Sequence, residues 1–175
     1  MGNVVKYRGG TTYEKTILAC MAAMVLAGCS VDYTFFTYKS QKELIAFINE
    51  DLVELGSMEA DARKSMIEAS KGPNKDLDQV VAAIENDAIP GYEDILDTID
   101  GWSYKKPEMK KLVKETREAE EVYLEFLHKR KDALEATDDS LMEESDNLLA
   151  DYNKRVTTLN KHIEELAEDW EVELK

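Results

Sequence analysis

The sequence predicts an all-α protein: an elongated up-down bundle of three or four long helices behind an N-terminal signal peptide. Three observations carry that prediction. Apolar residues recur every three or four positions through each long segment after residue 40, the spacing of one helical face. No stretch alternates apolar and polar residues as a half-buried strand would, and no glycine follows Gly101. Turn-forming and capping residues collect between the periodic segments, with Pro90 as the exception.

The first segment opens on Ser40-Gln41-Lys42-Glu43, a capping-box pattern in which Ser40 caps a backbone N–H and Glu43 reaches back. Its apolar row is Leu44, Ile48, Leu52, Leu55, Ala62, Met66 and Ala69, and Gly72-Pro73 should stop it. The second segment begins near residues 74–76 and places Leu77, Val81, Ile84, Ala88, Tyr92, Ile95 and Ile99 on one face. Pro90 lies inside it, removing a backbone donor and crowding the preceding turn. The period stays in phase across that proline, which predicts a kinked helix or two short ones on a common axis. Residues 100–108 form the longest loop, with Pro107 in the first turn of the next helix, where its missing N–H costs little.

The third segment runs from Glu108 to about Ala136, with Met109, Leu112, Thr116, Ala119, Tyr123, Phe126, Arg130 and Ala133 as its row. Thr137-Asp138-Asp139-Ser140 are poor interior residues and good caps, so a tight turn is expected there. Ser140 and Glu143 make a second capping-box pattern; one continuous long helix is the alternative. The last segment, Asp139 to about Glu173, has the cleanest row: Leu141, Ser145, Leu148, Tyr152, Val156, Leu159, Ile163, Leu166, Trp170 and Leu174. Its mean step of roughly 3.7 residues suits a nearly straight helix, about 50 Å long at ~1.5 Å per residue.

Ahead of these segments the uninterrupted apolar run Ile17–Ala27 is 11 residues long, against roughly 20 for a bilayer-spanning helix. Lys6, Arg8 and Lys15 precede it against a single acid, Glu14. A cationic start and a short apolar run are the layout of a secretory signal peptide. The run ends on Leu26-Ala27-Gly28-Cys29, which resembles the lipobox of bacterial lipoproteins. The resemblance covers only about the first 30 residues. It implies cleavage before Cys29, with Leu26, Ala27 and Gly28 as the recognition residues, and lipidation of the Cys29 thiol. Each buried methylene contributes about 0.8 kcal/mol of membrane affinity, so two or three chains on one cysteine anchor a protein stably. Cleavage at the small-residue pair Ala27-Gly28, or a chance cysteine closing a buried helix, are the competing readings. N-myristoylation at Gly2 is set aside, because Lys6 stands where that motif wants Ser or Thr.

On this reading residues 1–28 are a removable signal peptide, 29–39 a lipidated cysteine with a tether, and 40–175 the helical domain. The tether carries Tyr33, Phe35, Phe36 and Tyr38, placed either at the membrane interface or against the end of the bundle. The mature chain has 147 of the 175 residues, enough for one domain. Loss of Lys6, Arg8, Lys15 and Glu14 takes the net charge from −15 to −17. Such a surface repels nucleic acid and anionic membranes at long range, so no nucleic-acid partner is expected. Cys20 leaves with the leader and Cys29 is consumed by lipid, so no thiol remains for a disulfide, a zinc site or a nucleophile.

The inventory for catalysis is thin. Glu125 and His128 have the Glu-x-x-His spacing of di-iron bundles, but Leu159 replaces the glutamate of a second motif before His162. Phe126 on the core face turns His128 outward, and the two histidines fall on the order of 20 Å apart along the bundle. Both are read as solvated, and no metal, cofactor or catalytic residue is assigned. The acid pairs Asp138-Asp139 and Glu143-Glu144 are explained by the preference of helix N-termini for negative charge. Arg130 on a core row either extends its guanidinium to the surface or pairs with a carboxylate of a neighbouring helix. Trp102 and Tyr104 are the candidate partner-contact residues, since loops carry binding and Trp and Tyr dominate contact hot spots. Closure of the bundle end by Trp102 is the competing reading.

Composition and periodicity resemble the small acidic all-helical lipoproteins of bacterial envelopes. The expected function is a non-enzymatic binding or interaction module held by its Cys29 lipid at the outer face of the cytoplasmic membrane, or at an outer membrane in a Gram-negative cell. A structural or self-associating envelope spacer is the first alternative. A ligand- or metal-binding sensor or transport accessory is the second.

Overall fold

Residues 39–71 and 76–174 are described by the computed structural model, and every regular element among them is helical. The first helix, α1, joins Lys39–Ala46, a π-helical turn Phe47–Asp51 and Leu52–Ala69. The second, α2, joins Leu77–Ala83, a π-helical turn Ile84–Ala88 and Ile89–Asp100. Helix α3 is Pro107–Ala136 and α4 is Asp139–Asp169. The all-α bundle expected from the spacing is present, with four helices. No helix among the described residues is long and apolar enough to cross a membrane.

Side-chain pairs fix the topology. Arg117 with Asp100 and Lys131 with Glu85 run α2 and α3 in opposite directions. Lys129 with Glu144 and His162 with Glu115 do the same for α3 and α4. Gln41 Nε2 donates to the carbonyl of Trp170 at 2.7 Å, closing the circuit between the start of α1 and the end of α4. The bundle is therefore up-down-up-down, and the loop 101–106 shares an end with Lys39 and Trp170.

Two apolar clusters fill the interior. One is built on Leu55, Ile84, Tyr92, Ile95, Tyr123, Leu127 and Tyr152; the other, at the Gln41–Trp170 end, on Leu44, Phe47, Met109, Leu112, Leu159 and Ile163. All eight residues of the expected α3 row are buried, from Met109 to Ala133. In α4, Leu149 and Ala167 are buried where Leu148 and Leu166, one position earlier, were expected; the latter pair is half-buried.

The start of α2 departs further. Leu77 is exposed and Val81 half-buried, while Val80 faces the core. The π-helical turn explains the slip: the N–H of Ile89 bonds the carbonyl of Ile84, five residues back, so one extra residue enters the turn and the row shifts by one. The irregularity predicted at Pro90 thus lies just before it, and Pro90 occupies the first turn of Ile89–Asp100. Helix α1 makes the same five-residue bond, Leu52 N–H to Phe47 carbonyl.

The caps differ from the expected ones at two places. Ser40 lies inside the helical stretch that begins at Lys39 rather than capping it. Helix α4 is capped by Asp138, whose carboxylate accepts from the N–H groups of Ser140 and Leu141 at 2.8 and 3.2 Å, and not by Ser140. A carboxylate outranks that serine because it also meets the positive end of the helix dipole. The tight turn forms on Thr137, which takes a left-handed conformation with φ 51°. Asp138 N–H returns to the Ala133 carbonyl at 3.1 Å and Thr137 N–H to Leu134 at 3.3 Å, a Schellman closure. Helix α4 ends on the same device. Glu171 has φ 55° and Val172 N–H bonds Ala167 at 2.8 Å, so the helix stops at Asp169, short of the expected Glu173.

Candidate functional site

A polar cluster sits in the middle of this core, with a contribution from every helix. Glu59 and Arg63 come from α1, Tyr92 from α2, Glu120 and Tyr123 from α3, and Tyr152 from α4. Glu59 is 0 % exposed, Glu120 1 % and Arg63 8 %. Charged side chains are almost never buried to this degree without a partner. Four-residue spacing puts Glu59 and Arg63 on one face of α1, where they form an ion pair. Arg63 Nε also donates to the Glu59 carbonyl at 3.2 Å.

The tyrosines form the wall of the cluster. Tyr92 and Tyr123 stack with centroids 4.5 Å apart and planes 19° from parallel, and Tyr152 meets Tyr123 edge-on at 4.8 Å. The Arg63 guanidinium carbon lies 5.2 Å from the Tyr123 ring centroid, a cation–π contact out of water. Helices α1 and α2 approach closely here. A Cβ placed on Gly91, beside Tyr92, would stand 2.5 Å from the Ala62 Cβ. Only glycine admits this approach.

Satisfaction of the polar atoms is incomplete. Glu59 Oε1, Glu120 Oε2 and the hydroxyls of Tyr92 and Tyr152 are buried without a hydrogen-bond partner among the described residues. Burial pushes the Glu59 carboxyl up to about 7, with the Arg63 charge opposing. Burial holds Glu120 well above the ordinary carboxylate range; the neighbouring Glu59 charge adds to the rise and Arg63 opposes it. Burial likewise raises the Tyr92 and Tyr152 hydroxyls above their ordinary value. Among the described residues, no three of His, Cys, Asp and Glu come together to hold a metal ion.

The residues singled out in the sequence lie elsewhere. Leu26, Ala27, Gly28 and Cys29 fall outside the described residues. Trp102 and Tyr104 are half-buried, each meeting Phe47 edge-on, at 5.8 and 5.9 Å. The Tyr104 hydroxyl donates to the Asp51 carboxylate, tying the loop to the π-helical turn of α1. Burial raises Asp51, and that hydrogen bond opposes the rise.

His128 is exposed, as the outward-facing position predicted. His162 is half-buried and not simply solvated, because its Nδ1 lies 2.8 Å from Glu115 Oε2 across the α3–α4 interface. Glu115 precedes His128 by 13 residues on α3, so the histidines are about 20 Å apart at ~1.5 Å per residue. Arg130 takes the paired alternative: it bonds the Asp146 carboxylate on α4 and lies over the Phe126 ring at 5.1 Å. An open groove of about 290 Å³ runs along α3 and α4, lined by Glu115, Glu118, Asp151, Lys154, Arg155, Thr158 and Leu159.

Glu59 and Glu120 escaped the sequence reading, although α1 held a signal. Its apolar row steps 44, 48, 52, 55 and then jumps to 62; the omitted step is residue 59. A core row that skips a step over a charged residue marks a buried charge as readily as a break.

No protein-family model, curated protein or solved structure matches the chain.

Proposed function

We propose that the chain is a lipid-anchored helical module at the outer face of the cytoplasmic membrane, acting by binding a partner rather than by catalysis. The observation that carries this reading is the Leu26-Ala27-Gly28-Cys29 run at the end of an 11-residue apolar stretch with a cationic start. The acidic surface is consistent with a domain that stands off an anionic bilayer while its lipid holds it there. For the partner, the open α3–α4 groove offers both signs of charge, with Lys154 and Arg155 beside Glu115, Glu118 and Asp151. Trp102 and Tyr104 contribute their exposed edges at the end of the bundle nearest the tether.

The test of anchoring is a comparison of wild type with Cys29→Ala in cells fed a labelled fatty acid. Wild type should be shortened and labelled; the variant should stay full length and unlabelled. Identical behaviour of the two would sink the anchor. The test of binding is crosslinking in intact cells with and without Trp102→Ala. An unchanged crosslink profile would remove that loop from the partner surface. The spacer reading draws support from the α3–α4 hairpin, whose helices of 30 and 31 residues reach roughly 45 Å. Light scattering that gives a concentration-independent monomer would remove its self-associating form.

A further inference from the structure

The buried cluster contains two carboxylates and one guanidinium, so with both glutamates ionised the core is one positive charge short. Among the described residues, the charged and titratable groups that face the pair are Arg63 on α1, Tyr92 on α2, Tyr123 on α3 and Tyr152 on α4. None of the tyrosines supplies a positive charge, and their hydroxyls are donors or acceptors only. Two like charges sharing a desolvated site cannot both ionise cheaply. The unpartnered oxygens lie on these same groups, Glu59 Oε1, Glu120 Oε2 and the Tyr92 and Tyr152 hydroxyls. A proton on either carboxyl adds a donor among acceptors and balances the charge in one step.

We propose that Glu59 and Glu120 form a proton-binding site in the folded bundle, holding one proton between them, and that losing it loosens the four-helix core. Arg63 pairs with Glu59, so the proton resides mainly on Glu120, the carboxyl with no ion pair among the described residues. Burial is the leading cause that raises both carboxyls above their ordinary value, and the single Arg63 charge opposes it at each. In the unfolded chain both return to the ordinary 4.5. Between that value and the folded one, the native state holds more protons than the unfolded state. Stability therefore falls as pH rises through this window, by up to about tenfold in the folding constant per pH unit for each proton.

The experiment is urea unfolding of the full chain from pH 5 to pH 8.5, for wild type and Glu120→Gln. Glutamine keeps the shape of the protonated acid and cannot ionise. Wild type should lose stability steeply with rising pH, and the variant should lose it with a much shallower slope. Every other ionisable group is common to both chains and cancels in the comparison. A variant slope equal to wild type overturns the proposal.

An infrared spectrum of wild type at pH 7 needs no variant. Exposed carboxyls are ionised there, so a carbonyl band of a protonated carboxylic acid that vanishes on unfolding is expected. Its absence overturns the proposal as well. Unfolding at pH 8 in sodium or calcium, against tetramethylammonium at equal ionic strength, separates the proton from a metal cation. Selective stabilisation by the metal, retained in wild type and lost in Glu120→Gln, would put a cation where the proton is assigned and overturn it too.

Discussion

Arg63 stands beside two buried carboxylates with a single charge to offset them. Removing one member of a buried pair costs more than removing both, because the survivor keeps its desolvation penalty without its partner. Arg63→Met should therefore destabilise the bundle by about 3–5 kcal/mol. The double variant Glu59→Met, Arg63→Met should recover much of that loss, since two methionines fill similar volume and leave only Glu120, which neutralises itself. Urea unfolding of the two variants at pH 9, where the surviving carboxyl must ionise or hold its proton at a cost, checks the order. A double variant weaker than the single would mean that the pair contributes net stability. Residues of this kind are the least legible in a sequence. Tyr123 and Tyr152 were visible as row members because tyrosine counts as apolar in a periodic pattern. Glu59 and Glu120 were not, because a charged residue at a core step reads as an interruption until packing shows where it points.

At the scale of the element, backbone geometry is the deciding quantity. Thr137 and Glu171 take left-handed conformations that cost a non-glycine residue roughly 1–2 kcal/mol. Thr137→Gly relieves that strain and loses about 0.5–1 kcal/mol to unfolded-chain entropy. A net gain of up to about 1 kcal/mol is expected, read as a higher thermal midpoint; a lower midpoint would show that the threonine makes a compensating contact. Gly91→Ala should do the opposite. Its Cβ would meet Ala62 Cβ at 2.5 Å and Cα at 3.2 Å, an overpacking cost of about 1–3 kcal/mol. The double variant Ala62→Gly, Gly91→Ala restores the space and should recover part of the loss. Helix existence was legible here because caps and periods agree with the fold. The π-helical turns were not, since a five-residue bond leaves the composition unchanged and alters only the phase. The slip from Val81 to Val80 is its one trace, and it can be read only once the buried face is known.

For the whole molecule, charge sets the response to the solvent. With 37 acids against 22 bases, the folded state repels itself, and screening should help it. Raising sodium chloride from about 20 mM to about 300 mM shortens the screening length from roughly 20 Å to under 10 Å. The thermal midpoint at pH 7 should rise by a few degrees. A fall would mean that the exposed ion pairs, such as Arg117–Asp100 and Lys129–Glu144, outweigh the net repulsion. The architecture was legible at this scale because four amphipathic segments with short connections leave few ways to bury four stripes. The circular order of the helices depended on contacts such as Gln41–Trp170 that no local pattern announces. That same contact sets distances for any label on the protein. In a chain tethered through Cys29, a fluorophore on Val172 would ride at the end of the bundle where α1 begins. One on Lys71 would ride at the far tip, roughly 45 Å along the helices, so energy transfer to a dyed bilayer would separate an upright stance from a recumbent one.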